Sequence, residues 1–374
     1  MRQYISFIVT LVSISLFAFT CQPTAAQSIT SRVNPGLTSD TLTPLPTISA
    51  QTEASISPSL RAYAELKNIR FGTYFPWDGF NNPTWQEIAG EEFNLANIFD
   101  GFSWSYLEPR QGEFDFSIVD LQVAFALAQN MEICGHTLFW PIEESTYPDW
   151  VLKGGFTREQ LSTHLQNYIS TVMNHYKGQI NCWIVVEEPY SPPERSWDLL
   201  YTTFGGYDYL DFVYQVARET DPRALLLYND EYNHTSNGEY TALTAENVKR
   251  LYGEGLLDGV GLEMHLDAND PPDKQDVVDT MKSYGVPVHV TEIDVNLAGV
   301  PGTQAERLAL QADIYGDMLS ACFESGKCQS FSVWGFGDKY SWLEWYYADA
   351  DPTLFDDALQ KKPAYSTLLE ILKP

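Results

Sequence analysis

Positive charge is scarce in this chain. Its 374 residues carry 22 Lys and Arg against 50 Asp and Glu, a formal net charge of −28 at pH 7. Such an acidic surface repels polyanions and excludes nucleic acid as a partner, while it suits a neutral ligand such as a polysaccharide. Histidine is also sparse, at six residues, and no Cys/His set has zinc-like spacing, so no metal and no cofactor is expected. No glycine-rich phosphate loop follows the first strand-like run, which argues against an open doubly wound sheet. No repeat of solenoid period occurs, and nothing within 61–374 resembles an interdomain linker.

Cysteine is limited to five residues. Cys322 and Cys328, close together in "ACFESGKCQSF", read as a disulfide in an exported protein. Cys134 and Cys182 fall in apolar strand-like runs, where either two buried thiols or a bridge is open. Cys21 belongs to the leader.

What the chain does have begins with that leader. "MRQ" is a short basic start, Tyr4 to Phe19 is an apolar and hydroxylated run, and "TAAQS" offers small residues for cleavage. The run is too short for a comfortable membrane crossing, so residues 1–26 are predicted to be a signal peptide of a secreted protein. Cys21 stands where a bacterial lipoprotein carries its lipid, although "AFT" before it is a poor form of that signal. A membrane tether through Cys21 is the alternative. Residues 27–60, rich in Ser, Thr, Pro and Gln, read as a disordered linker.

From Arg70 onward, short apolar runs alternate with amphipathic stretches. The strand candidates are 70–75, 93–99, 132–140, 182–188, 224–230, 259–266, 286–295 and 330–336. Helix-like segments such as 157–176 and 303–323 lie between them. Eight such alternations predict an α/β fold, a single-domain (β/α)8 TIM barrel over 61–374, and a monomer is expected. Function in this fold sits where the strands end. The polar residues there are Asp100, His136, Glu187, Glu188, Asn229, Asp230, Glu263, His265, Glu292, Asp294 and Asp338. Each alone could be a helix cap, but together they suit a sugar-cleaving site.

Hydrolysis of a glycosidic bond needs one carboxylic acid to protonate the leaving oxygen and one carboxylate at the anomeric carbon. In retaining enzymes the two stand roughly 5–5.5 Å apart. Glu188 closes "WIVVEE" and Glu292 closes "VHVTE", which makes them the best pair. Strand parity groups Glu263 with His265 and Glu292 with Asp294, so Glu263, His265 and Glu292 should crowd one patch.

The motifs "WSYLEPRQGEFDF", "GHTLFW", "WIVVEEP", "GVGLEMHL", "VTEIDV" and "CFESGKCQSFSVWGFGDKYSWL" occur in order along the chain. Together they resemble glycoside hydrolase family ten, the family of endo-β-1,4-xylanases. The resemblance implies an exported, retaining, endo-acting enzyme that cleaves a plant β-1,4-linked glycan such as xylan. It makes Glu188 the general acid/base and Glu292 the nucleophile, with His265 bonded to Glu292. His136 and Trp140 would line the subsite of the cleaved sugar, and Trp334 and Trp342 would be apolar platforms. Another β-linked glycan as substrate, or a non-catalytic glycan-binding role, are the alternatives. A pure binder would have no use for the Glu188/Glu292/His265 set.

Departures from the family lie in the sugar-contacting positions. Glu187 replaces Asn and Glu263 replaces Gln. Phe99, Asp100 and Ser103 replace Glu, Asn and Lys, Pro141 replaces His, and Glu143 replaces Gln. Crowded carboxylates cannot all ionise, and a protonated carboxyl offers a donor and an acceptor as an amide does. Glu187 and Glu263 are therefore expected to be protonated stand-ins for the two amides.

Overall fold

The computed structural model describes residues 57–190 and 198–374. The predicted signal peptide, Cys21 and almost all of the predicted linker lie outside them. Eight strands form in the predicted places: β1 (Arg70–Tyr74), β2 (Leu95–Ile98), β3 (Glu132–Phe139), β4 (Cys182–Glu187), β5 (Leu225–Asp230), β6 (Gly259–Asp267), β7 (Val288–Asn296) and β8 (Cys328–Val333). They pair in chain order, all parallel, and β8 closes on β1. Strands covered on both faces need apolar residues at every position, and β2 and β4 are buried along their whole length.

The helices wrap the outside. Those at Arg158–His175 and Gln304–Ser325 each begin with a capping box, Thr157 with Gln160 and Thr303 with Glu306, which satisfies otherwise open amides. Leu161, Leu165, Tyr168, Ile169 and Val172, at helical spacing, turn one face of the first of these inward. Among the described residues, no helix is long and apolar enough to cross a membrane.

Both cysteine pairs are bridged. Cys322–Cys328 ties the end of Gln304–Ser325 to the start of β8. Cys134 and Cys182 face each other in the β3–β4 register, so the open alternative resolves to a disulfide, packed with Leu95, Ile184 and Leu227. The sequon "NHT" at 233–235 is closed to glycosylation, because Asn233 is fully buried and its amide donates to the Gly261 carbonyl.

Where the strands approach their C-terminal ends the register slips. Leu262 pairs with Val290, but Glu263 pairs with Glu292, leaving Thr291 as the extra residue. Similar shifts occur between β3 and β4 and between β4 and β5. Such bulges re-aim side chains, and here they bring acidic residues of neighbouring strands level with one another.

Replacing Cys134 and Cys182 together by Ala should lower the unfolding free energy by about 2–4 kcal/mol, since the bridge closes a separation of 48 residues. Denaturant melts without reductant would show this, and an unmoved midpoint would contradict it.

Candidate active site

The mouth of the barrel is organised by two imidazoles among carboxylates. His136 of β3 is fully buried, and its Nε2 lies 2.8 Å from Glu187 Oε2 and 3.2 Å from Glu292 Oε1. On the other side of Glu292, His265 Nε2 is hydrogen-bonded to Oε2 at 3.1 Å. His265 Nδ1 in turn lies 2.9 Å from Asp294 Oδ2, which accepts from Trp342 Nε1 at 2.9 Å. The result is a row, Glu187–His136–Glu292–His265–Asp294, in which carboxyls alternate with imidazoles across the mouth.

Electrostatics follow from this row. Burial opposes a proton on His136, but the carboxyls of Glu187 and then Glu292 outweigh it and push its pKa up to about 10. His265 is raised well above its ordinary value in the same way, against burial, by Asp294 and Glu292. Burial also opposes ionisation of Glu292, yet the contacts from His136 and His265 win and hold its carboxyl at about 2. Glu292 is thus an anion at every ordinary pH.

Glu188 has the opposite environment. Adjacent residues of an extended strand point to opposite faces, but Glu188, just after β4, lies in the left-handed region, at φ 41°, with its amide donating to the Asn229 carbonyl. That turn brings its carboxyl to Trp140, whose Nε1 donates to Oε2 at 2.6 Å. Burial, then the charges of Glu231 and Glu187, raise Glu188 to about 8, while the Trp140 bond offsets part of the rise. Two glutamates in one mouth are therefore held in different protonation states.

Glu263 faces Glu292 through Asn229, whose Nδ2 donates to Glu263 Oε1 at 2.8 Å and to Glu292 Oε1 at 3.2 Å. Thr291 donates to Asn229 Oδ1 and sets the amide's orientation. A side chain at residue 261 would overlap Asn229, so glycine there makes room for the bridge. Burial, then Glu292 and Glu188, raise the Glu263 carboxyl well above its ordinary value, in line with the expected protonated stand-in for an amide. Asn229 and Thr291 were not singled out as site residues. Asn229 was visible as a polar strand end, whereas Thr291 carried no signal, because its position depends on the register slip.

The other predicted residues divide. Trp342 packs edge-on against His265, ring centroids 5.1 Å apart, and borders a second pocket with Trp77 and Asp100. Trp334 is only 8% exposed, with one face stacked on Tyr74 and His136 tilted above it, so it is a floor for the imidazole more than an open platform. Asp100 accepts from the Trp77 amide, and Glu143 caps Ser145. Phe99, Asp100 and Ser103 border a cavity of about 160 Å³ that continues past His136 to Trp140, with Pro141 buried beside it. Asp338 lies apart from the chemistry, in a buried ion pair with Lys362, and Asp230 is bound to Thr244 as part of the support. Two triads, His136/Glu187/Glu292 and Glu263/His265/Glu292, have ligand atoms close enough for a cation. The imidazole protons already place positive charge at both positions.

These shifts tie stability to pH. Glu188, Asp230 and Glu263 have raised pKa values in the folded chain. Their stabilisation is complete below the unfolded carboxyl value and is lost as pH rises through the folded ones. His136 acts in the same sense, complete below about 6.5 and lost toward about 10. Glu292 acts oppositely, its contribution lost only as pH falls to about 2. Thermal melts should therefore give a higher Tm at pH 5 than at pH 9. A Tm that rises with pH across that range would contradict the assignment.

Comparison with known proteins adds an independent line. The model of glycosyl hydrolase family 10 matches residues 59–371. Endo-1,4-beta-xylanase 1 of Humicola insolens is 32% identical over 286 residues, which are 75% of this chain and 66% of that protein. Endo-1,4-beta-xylanase B of Thermotoga neapolitana is 29% identical over 328 residues, 84% of this chain and 91% of that one. The crystal structure of xylanase 10B from Thermotoga petrophila RKU-1 in complex with xylobiose aligns with a TM-score of 0.78 at 28% identity, covering 85% of this chain and 98% of its own. With its closed barrel and its paired acids, the chain belongs to glycosyl hydrolase family 10 and is an enzyme that hydrolyses glycosidic bonds.

Proposed function

We propose that this enzyme is a secreted, retaining endo-1,4-β-xylanase in which Glu188 is the general acid/base and Glu292 the nucleophile. The observation that carries the reading is the split between two glutamates in one mouth, Glu188 raised to about 8 and Glu292 lowered to about 2. Acid and nucleophile roles are assigned by environments that push like groups apart. Xylan as substrate is supported by the relatives named endo-1,4-beta-xylanases and by the neighbour that holds xylobiose.

In this reading a xylan chain lies across the mouth with the scissile bond over Glu292. The Glu292 carboxylate attacks the anomeric carbon while protonated Glu188 gives its proton to the departing oxygen. This leaves a glycosyl ester on Glu292 and an ionised Glu188. Glu188 then takes a proton from water, whose oxygen attacks the same carbon and frees Glu292, so the configuration is retained. The Trp140 bond holds Glu188 in reach of that oxygen through both steps.

Another β-linked glycan is the second reading. The cavity beside Ser103, which stands where the family has a lysine, leaves room for a sugar bulkier than xylose. Reducing-sugar release from xylan, mixed-linkage glucan and mannan separates the two.

Glu292→Ala should lower turnover on xylan at least about 1000-fold. Glu188→Ala should cost about 100- to 10,000-fold on xylan and far less on an aryl glycoside whose leaving group needs no proton. Equal losses on both substrates would contradict the acid role, and sugar release by Glu292→Ala would contradict the nucleophile. Wild-type kcat/KM should decline on the alkaline side near pH 8 as Glu188 loses its proton.

A further inference from the structure

Glu187 is a carboxyl beside Glu292 that this mechanism leaves without a task, and it is buried like Glu292 itself. His136 faces it from β3, and Asn229 is its register partner on β5. Glu263 and His265 approach from β6, Glu292 from β7, and Glu188 follows it in the chain. Among the described residues no Lys or Arg pairs with it, and its one cationic contact is His136 at 2.8 Å.

The same ring nitrogen of His136 lies 3.2 Å from Glu292. A fully buried imidazole sheds its proton unless nearby anions outweigh the cost of desolvation. Two carboxyls lie within 3.2 Å of this nitrogen, and only one of them is the nucleophile.

We propose that Glu187 is a positioning residue that keeps His136 an imidazolium, so that the nucleophile Glu292 stays ionised, and whose own charge helps keep Glu188 protonated. The proposal rests on the assignment of Glu188 and Glu292 above and adds to it a cause for their opposite states. Burial raises the Glu187 carboxyl from its ordinary value while His136 pulls it back, so this role stands beside the expected stand-in for an amide. An amide would leave His136 with a single carboxyl and would place no charge beside Glu188.

The consequence is a signature that loss of packing does not produce. With Glu187→Gln, which keeps the shape, His136 faces one carboxyl against full burial and becomes neutral near pH 7. Glu292 then loses one of its two cationic partners, and its pKa rises. Glu188 loses a neighbouring negative charge, and its pKa falls. The two limbs of the pH–rate profile therefore approach each other.

The test compares kcat/KM against pH for wild type and Glu187→Gln on xylan. The acid limb should move up by about one unit or more, the size typical of a lost charge neighbour, and the alkaline limb should move down. A second readout is the nitrogen-15 NMR signal of the His136 ring, expected to be that of an imidazolium at pH 7 in wild type and of a neutral ring in the variant. A profile that drops in height with both limbs in place would overturn the proposal, as would a neutral His136 in wild type. The wild-type spectrum decides the matter even where the variant folds poorly. These results are distinct from failure of the mechanism itself, which would show as activity retained by Glu188→Ala or Glu292→Ala.

Discussion

Everything at the mouth of this barrel depends on how buried carboxyls share too few positive charges. Glu187, Glu263, Glu292, Asp230 and Asp294 are all buried, Glu188 nearly so, and the cations set among them are His136 and His265. In a low-dielectric site an unpaired carboxylate costs several kcal/mol. Contacts with both imidazoles hold Glu292 ionised, whereas Glu188 and Glu263, which pair with neither ring, are raised by burial and by neighbouring carboxyls. Glu292 lies between both rings and is the anion. Among the described residues Glu188 has the Trp140 indole as the hydrogen-bond partner of its carboxyl, and it remains the acid. The division of labour needed for double displacement follows from where two rings sit.

The fold supplies those positions through departures from regular geometry. Ideal strands would point Glu187 and Glu188 to opposite faces, and an unslipped β6–β7 ladder would not set Glu263 beside Glu292. The left-handed turn at Glu188 and the extra residue Thr291 remove both obstacles. A left-handed non-glycine residue costs about 1–2 kcal/mol. That strain falls on the residue whose carboxyl must reach the bond to be cleaved, where strained backbone is often found.

Much of this was legible in the residues. Apolar runs such as "CWIVVE" and "VHVTEIDVN" can only be strands buried on both faces, and their number and spacing lead directly to the barrel. The acids that end them, Glu188 and Glu292, stand out because a buried strand has no structural use for them. The parity of Glu263 with His265 and of Glu292 with Asp294 was readable too, and the structure brings all four together. Two kinds of information were not readable. Register slips leave no local trace, which hid Thr291 and the orientation of Asn229. The partner of a buried polar group is a long-range property, so the disulfide between Cys134 and Cys182, the ion pair that removes Asp338 from the chemistry, and the contact of Glu187 with His136 all required the fold.

The claim that most needs a direct check is that glutamates of one mouth keep different protonation states at one pH. Carbon-13 NMR of the glutamate side-chain carboxyls, followed from pH 3 to pH 10 in the unliganded enzyme, reads this residue by residue. The account predicts that Glu292 is ionised throughout, that Glu188 titrates near pH 8, and that Glu263 titrates well above the ordinary carboxyl range. Glu188 and Glu292 titrating together near the ordinary value of about 4.3 would contradict it.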